Sequence, residues 1–61
     1  MSQVSENLRF LLWFKRVPWS EWAPVLGHWA ECDIGRAEEL LEGSEPAQHE
    51  LEHIVRAVDY S

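Results

Sequence analysis

The string HELEH at residues 49–53 has the spacing of the HExxH zinc-protease signature. Residues four apart share one face of a helix, so His49 and His53 could offer two imidazoles to zinc while Glu50 acts as a base. We reject this interpretation, because the apolar stripe of the same helix lies about half a turn away and both histidines should face solvent. A zinc protease also needs a third ligand and a walled cleft, for which 61 residues leave no room. We therefore predict no catalytic residue and no metal here, and a weak surface metal site would be incidental.

His28 and Cys32 are also four residues apart. A catalytic Cys–His pair needs an exposed, activated thiolate and a pocket for an oxyanion. We expect Cys32 to be a small buried residue at a turn and His28 to lie on the surface, which meets neither condition. The sequence also contains no phosphate-binding glycine loop, and we predict that the protein is not an enzyme and binds no cofactor. Cys32 is the only cysteine, and the absence of any internal disulfide favours a reducing, cytoplasmic setting.

Charge is unevenly distributed along the chain, whose net charge is −6. Residues 1–20 carry three Lys or Arg against one Glu, which gives +2, and residues 21–61 carry two Arg against ten carboxylates, which gives −8. Nucleic-acid binding draws most of its affinity from the neutralisation of phosphates by Lys and Arg. Only the first twenty residues could contribute much of that affinity.

Apolar residues recur at helical spacing, without strand-like alternation, in the segments that must position these side chains. We expect one all-α domain over residues 1–61, a compact bundle of four to five helices. The first helix should run from Val4 or Ser5 to Arg16, because Pro18 ends it. The third should occupy 33–42, with Asp33 as its N-cap and Gly43 as its stop, and the fourth about 47–59. The predicted inward stripes are Val4, Leu8, Leu11 and Leu12 in the first helix and Leu51, Ile54, Val55 and Val58 in the fourth.

The start of the second helix has two interpretations. Ser20 could cap a helix that carries Pro24 at its fourth position, with the loss of one backbone hydrogen bond. Alternatively, a short turn covers residues 20–23 and Pro24 opens the helix itself. In both cases the helix ends near Glu31.

Four tryptophans are too many for so small a core to enclose. We expect two of Trp13, Trp22 and Trp29 to fill the core and at least one tryptophan to be partly exposed. An exposed indole is often part of a contact surface. The longest apolar run, residues 10–14, is too short to span a bilayer, so no membrane contact is expected. The apolar patch that could dock a partner protein is predicted to combine Trp19 or Trp22 with Phe10 or Phe14.

Beyond these local signals, residues from Leu26 to Val58 follow the order helix, tight turn, helix, glycine-containing loop, helix. The residues that define this order are Leu26-Gly27, Cys32-Asp33, Ala37, Leu40, Gly43, Pro46, Glu50-Leu51-Glu52, Ile54 and Ala57-Val58, with Asn7-Leu8-Arg9 before them and Tyr60-Ser61 after them. In this respect the chain resembles the lambda-repressor-like helix-turn-helix domains of the phage repressor and Cro (XRE) family. The resemblance covers nearly the whole chain, and it implies that segment 33–42 is a recognition helix that enters the major groove of DNA.

The resemblance implies a small DNA-binding transcriptional regulator that dimerises on its site. It places Ile34, Gly35 and Arg36 nearest the bases. Members that bind DNA usually carry polar side chains at these positions, and here only Arg36 is a convincing donor. Arg36 could equally be a surface residue paired with Glu39 or another carboxylate. The candidate phosphate contacts are Ser20, Arg9 and Lys15.

Other departures from the family favour a second hypothesis. Glu38 and Glu39 would lie near phosphates and be repelled by them, and Glu31 replaces a common glycine, which hints at a changed turn geometry. The acidic third helix and the aromatic patch could instead face a protein, either a second copy or a basic partner, and the helix could imitate the charge of DNA. The sequence thus leaves two functions open, DNA binding and protein interaction on the same scaffold.

Overall fold

The computed structural model of this protein describes residues 3–59, and within that range it is all-helical without a β-strand. The predicted all-α class is confirmed. The described residues fit within 24 × 22 × 21 Å. The elements are α1 (Gln3–Phe14), a 3₁₀ turn (Trp19–Glu21), α2 (Trp22–Ala30), α3 (Ile34–Glu42) and α4 (Gln48–Asp59).

Helix α1 ends at Phe14, two residues before the expected Arg16, because Arg16 adopts a left-handed conformation with φ 62°. The N–H of Arg16 donates to the carbonyl of Trp13 at 3.0 Å. The N–H of Val17 donates to the carbonyl of Leu12, also at 3.0 Å. This pair of bonds is the Schellman motif, in which the left-handed position is usually glycine.

Helix α2 ends in the same way at Glu31, whose φ is 56°. The N–H of Cys32 donates to the carbonyl of Gly27 at 2.9 Å. The prediction that the glutamate changes the turn geometry is therefore wrong, because Glu31 adopts the left-handed conformation that glycine favours.

Helix α3 has the ends that the sequence predicted. The side chain of Asp33 accepts a hydrogen bond from the backbone N–H of Arg36 at 2.7 Å, which makes Asp33 the N-cap. The helix stops at Gly43, whose φ of 122° is rarely adopted by residues with a side chain. Local cap chemistry thus fixes α3 at both ends.

The start of α2 lies between the two predicted alternatives. Ser20 belongs to the 3₁₀ turn and caps nothing, and the helix begins at Trp22. Pro24 is the third residue of α2. The first four N–H groups of a helix have no partner within the helix, so the missing N–H of Pro24 removes no hydrogen bond.

The core lies where α2 packs against α3 and α4 and where α1 packs against α3. Ala37 and Leu40 are fully buried there, so these two residues hold α3 on the core. Three predictions about the inward stripes are wrong, since Val55 is 58% exposed and Leu11 and Leu51 are only half-buried and lie outside the packed core. Because helix α4 packs mainly on α2, it buries a narrower apolar stripe than the sequence indicated. The buried apolar residues are Leu8, Leu12, Leu26, Ala30, Ala37, Leu40 and Ile54.

The tryptophans divide evenly between core and surface. Trp22 and Trp29 pack against the core, which confirms that two of the three candidates help to fill it. The indole N–H of Trp22 donates to the carbonyl of Val17 at 2.9 Å. Trp13 and Trp19 are 67% and 80% exposed, which confirms the prediction that at least one tryptophan is partly exposed.

Gly27 allows α2 to approach the turn that leads into α3, and this contact gives a stability prediction. A Cβ at Gly27 would lie 3.0 Å from the carbonyl oxygen of Cys32 and 3.7 Å from the Cβ of Ala37. We expect Gly27→Ala to lower the free energy of unfolding by about 1 kcal/mol, because backbone crowding outweighs the better helix propensity of alanine. Gly35→Ala is the matched control, since its Cβ would lie 3.6 Å from Asp33 Oδ1 and meet nothing closer.

Urea unfolding of both variants measures the difference between the two positions. The control should be neutral or more stable by a few tenths of a kcal/mol. A Gly27 variant as stable as the Gly35 variant would show that α2 does not approach the turn this closely.

Candidate functional site

Three aromatic side chains of α1 form one exposed surface, which we call the aromatic face: Phe10, Trp13 and Phe14. They are 63%, 67% and 65% exposed and lie on the side of the helix opposite the buried Leu8 and Leu12. The ring centroids of Phe10 and Trp13 are 6.0 Å apart, and those of Phe10 and Phe14 are 6.2 Å apart with nearly parallel planes. The rings therefore pack on one another and leave the core to the leucines.

The sequence predicted Phe10 and Phe14 as interface residues and gave Trp13 only as one of three tryptophans of which two were expected in the core. The spacing of residues 10, 13 and 14 carried the missing signal, because these positions share one helix face that points away from Leu8 and Leu12. The second apolar face of α1 could thus have been predicted from the same periodicity.

The other two predicted interface residues, Trp19 and Trp22, do not stack on Phe10 or Phe14 in the described part of the chain. They line a groove between the 3₁₀ turn, α1 and α3 instead. This groove also brings together two of the predicted phosphate contacts, Arg9 and Ser20. Its lining residues are Arg9, Trp19, Ser20, Trp22, Ala23, Glu38, Leu41 and Glu42.

Arg9 has a structural partner within the groove. Its Nε donates to the carbonyl oxygen of Leu41 at 2.8 Å, and its Nη2 donates to the same oxygen. The hydroxyl of Ser5 donates there too, at 3.1 Å. The last carbonyls of a helix have no partner within the helix, so these donors cap the C-terminal end of α3. A phosphate in this groove would also meet the carboxylates of Glu38 and Glu42.

Arg36 lies in the first turn of α3, but its guanidinium binds α4. Nε and Nη2 donate to the two carboxylate oxygens of Glu50, each at 2.9 Å. Nη1 donates to Glu39 at 3.2 Å and Nη2 to the carbonyl of Glu45 at 3.1 Å. The structure therefore has the arginine paired with carboxylates, and a contact to a DNA base would require these bonds to break.

Glu50 is a structural carboxylate with a side chain only 7% exposed. Besides Arg36, it accepts the backbone N–H of Ala47 at 2.8 Å, as the third residue of a helix does in a capping box. The hydrogen bonds from Arg36 and then from Ala47 lower the pKa of Glu50 to about 2, against the opposing effect of burial. The glutamate of the HExxH string thus joins α3 to α4.

The two histidines of that string differ in exposure. His49 is exposed, but His53 is half-buried, which corrects the prediction that both face solvent. The reason is the packing of α4 on α2: Nδ1 of His53 lies 3.3 Å from the carbonyl oxygen of Ala30, and Nε2 lies 3.4 Å from the carboxylate of Glu31. Among residues 3–59, no group of three or more His, Cys, Asp or Glu side chains could hold a metal ion.

The exposed surface of α3 offers little to a phosphate. Ile34 is 53% exposed, and Gly35 is exposed beside it. The other exposed side chains of the helix are the carboxylates of Glu38, Glu39 and Glu42. The surface of α3 is therefore acidic.

The remaining residues singled out from the sequence lie at helix ends. Lys15 is half-buried just after α1, and His28 is exposed near the end of α2. Cys32 is half-buried at the turn, less enclosed than expected. Desolvation, and then the negative charges of Glu50 and Asp33, raise the pKa of the Cys32 thiol. The thiol form is favoured, which is the opposite of an activated nucleophile.

Comparisons of this chain with protein-family models, with curated proteins and with solved structures found no match. In residues 3–59, every helix is too short or too polar to cross a lipid bilayer.

Proposed function

We propose that this protein is a protein-interaction module that binds an apolar segment of another protein through the aromatic face. The observation that carries the proposal is the exposure of Phe10, Trp13 and Phe14, each by about two thirds, on one side of α1. A contiguous apolar patch on a small domain is often a contact surface, and aromatic anchors dominate binding energy at interfaces.

The size of the aromatic face sets the strength of the complex. Covering three such rings would remove roughly 400 Å² from water, about half of what one partner contributes to a standard interface. At ~25 cal/mol per Å² this burial yields ~10 kcal/mol, which the cost of association reduces substantially. We therefore expect a transient complex in the micromolar range.

DNA binding by a lambda-repressor-like helix-turn-helix regulator, with 33–42 as the recognition helix, is the second proposal. Its support is the short connection between α2 and α3, with Ile34 and Gly35 exposed at the start of α3. Against it, the guanidinium groups of Arg36 and Arg9 bind acceptors within the chain, and α3 would turn three carboxylates towards phosphates. The exposed chemistry thus favours a protein partner.

Selection of random peptides displayed on phage tests the first proposal. The immobilised domain is the target, and the Phe10→Ser, Phe14→Ser double variant removes peptides that bind elsewhere. Both side chains are exposed, so the variant should fold, which circular dichroism verifies. We expect enriched apolar peptides that bind the wild type with micromolar Kd by calorimetry and lose at least tenfold in affinity on Trp13→Ala.

Ile34→Ala is the matched control for the selected peptides, since Ile34 is an exposed apolar residue on a different helix. Its affinity should stay within twofold of the wild type. If no peptide that binds the wild type remains after the double variant has removed its own binders, the proposal is contradicted. Titration with random duplex DNA at low salt tests the alternative: amide shifts at residues 34–38 that vanish as salt rises would favour DNA binding.

A further inference from the structure

We infer that the bound segment carries a carboxylate beside its apolar residues, and that Arg16 pairs with this carboxylate at the end of the aromatic face. The inference rests on the proposed function and specifies the chemistry of the partner. Trp13, Phe14, Arg16 and Val17 line a shallow cleft at the C-terminal end of α1. Two rings of the aromatic face thus border an exposed guanidinium.

The backbone of Arg16 is the first argument for this role. Its φ of 62° lies in the left-handed region, where a side chain clashes with its own backbone. Glycine is the usual residue at this position of a Schellman motif because it has no such clash. Folding alone would therefore favour glycine at position 16, and the arginine needs another explanation.

Glu31 is the only other described residue with a side chain and a positive φ. The carboxylate of Glu31 lies 3.4 Å from Nε2 of His53, so its side chain has an intramolecular partner. The exposed guanidinium of Arg16 has no ion-pair or hydrogen-bond partner among residues 3–59. Unlike the carboxylate of Glu31, the guanidinium of Arg16 is therefore open to a partner outside the described residues.

The chemistry of Arg16 identifies the group that would bind it. A guanidinium binds a carboxylate through two parallel hydrogen bonds, which strengthen when neighbouring apolar groups exclude water. A DNA phosphate would also pair with the guanidinium, but it would leave the rings of Trp13 and Phe14 in contact with water. An apolar protein segment with an acidic residue would cover the rings and also pair with the guanidinium.

Two synthetic peptides test the inference. One is a short, acetylated and amidated helix with a leucine face and one flanking glutamate, and the other has glutamine in place of the glutamate. Binding to the isotope-labelled full chain is followed by NMR at the Trp13 indole and the Arg16 side chain. We expect the glutamate peptide to bind at least fivefold more tightly than the glutamine peptide, and Arg16→Gln to abolish this difference.

Glycine variants distinguish an effect on peptide binding from an effect on the stability of the fold. Arg16→Gly should raise the unfolding midpoint by about 4 °C, because it relieves the backbone, and still lose the fivefold preference. Glu31→Gly makes the same backbone change at the end of α2 and should keep the preference in full. A variant that is more stable and yet binds less well cannot be explained by damage to the fold.

The other outcomes would overturn the inference. If both peptides bind the aromatic face equally, the carboxylate plays no part, although the proposed function stands. If neither peptide shifts the Trp13 indole, the face does not take a segment of this kind, and the phage selection decides the proposed function separately. If duplex DNA shifts the Arg16 side chain of the wild type and Arg16→Gln weakens DNA binding at least fivefold, the guanidinium belongs to a phosphate contact.

Discussion

Replacing Glu50 with glutamine is expected to lower the free energy of unfolding by about 2 kcal/mol. The substitution removes the negative charge that receives two hydrogen bonds from Arg36, in a site where the Glu50 side chain is only 7% exposed. Arg36 is itself 31% exposed, so water can solvate its unpaired guanidinium and limit the loss. A domain of this size has a stability of only about 3–5 kcal/mol, so urea unfolding should detect the change easily.

The pH dependence of the same variant provides an independent measurement. The pKa of Glu50 is about 2 in the folded protein, against 4.5 for an unperturbed carboxyl group. Because the folded pKa is depressed, the stabilisation is complete above about pH 5 and is lost as the pH falls from 4.5 to about 2. The shift corresponds to ~3 kcal/mol, which water around so small a domain reduces to about 2 kcal/mol.

The stability difference between wild type and Glu50→Gln should therefore shrink steadily through that pH range. Glu52→Gln is the control, because Glu52 is exposed on the same helix and makes only a 3.5 Å contact with Gln48. The control should change stability by less than about 0.5 kcal/mol at every pH. Equal effects of the two substitutions at pH 7 would show that Glu50 does not join α3 to α4.

The second large effect is expected at Leu40, the fully buried residue that holds α3 on the core. Leu40→Ala should cost about 3 kcal/mol, since it removes buried methyl groups and leaves a cavity between packed helices. A stability of about 3–5 kcal/mol would fall to about 0–2 kcal/mol, so circular dichroism at 25 °C should show a partly unfolded chain and a much lower urea midpoint.

Ile34→Ala on the same helix provides the comparison for Leu40. Ile34 is 53% exposed, so its truncation should change stability by well under 1 kcal/mol. A folded Leu40→Ala variant with wild-type stability would mean that α3 is not anchored by its inner face. The acidic surface of α3 would then have no fixed position, and the assignment of its exposed residues would fail.

The sequence predicted the features that depend on neighbouring residues. Asp33 and Gly43 mark the ends of α3 because capping and left-handed termination are properties of a few consecutive residues. The apolar periodicity located α1 and α4 to within two residues, and the spacing of residues 10, 13 and 14 is enough to predict the aromatic face. Local sequence patterns thus largely determined the number of helices and their bounds.

The partners of the arginines around α3 were less predictable, because these contacts join residues far apart in the chain. Arg36 looked equally suited to a DNA base or to a nearby carboxylate, and its main partner proved to be Glu50 on α4. The cap that Arg9 provides for Leu41 also depends on α1 lying against the end of α3. No periodicity within one helix contains that information.

By itself, the sequence determined an all-helical chain with defined helix ends and more aromatic side chains than its core can hold. The tertiary structure decided which aromatic rings stay in water, which cations are already paired within the chain, and that α3 presents carboxylates outward. The physical reason is the range of the interactions. Caps and turns act over three to five residues, whereas side-chain exposure and ion pairing depend on which helices pack together.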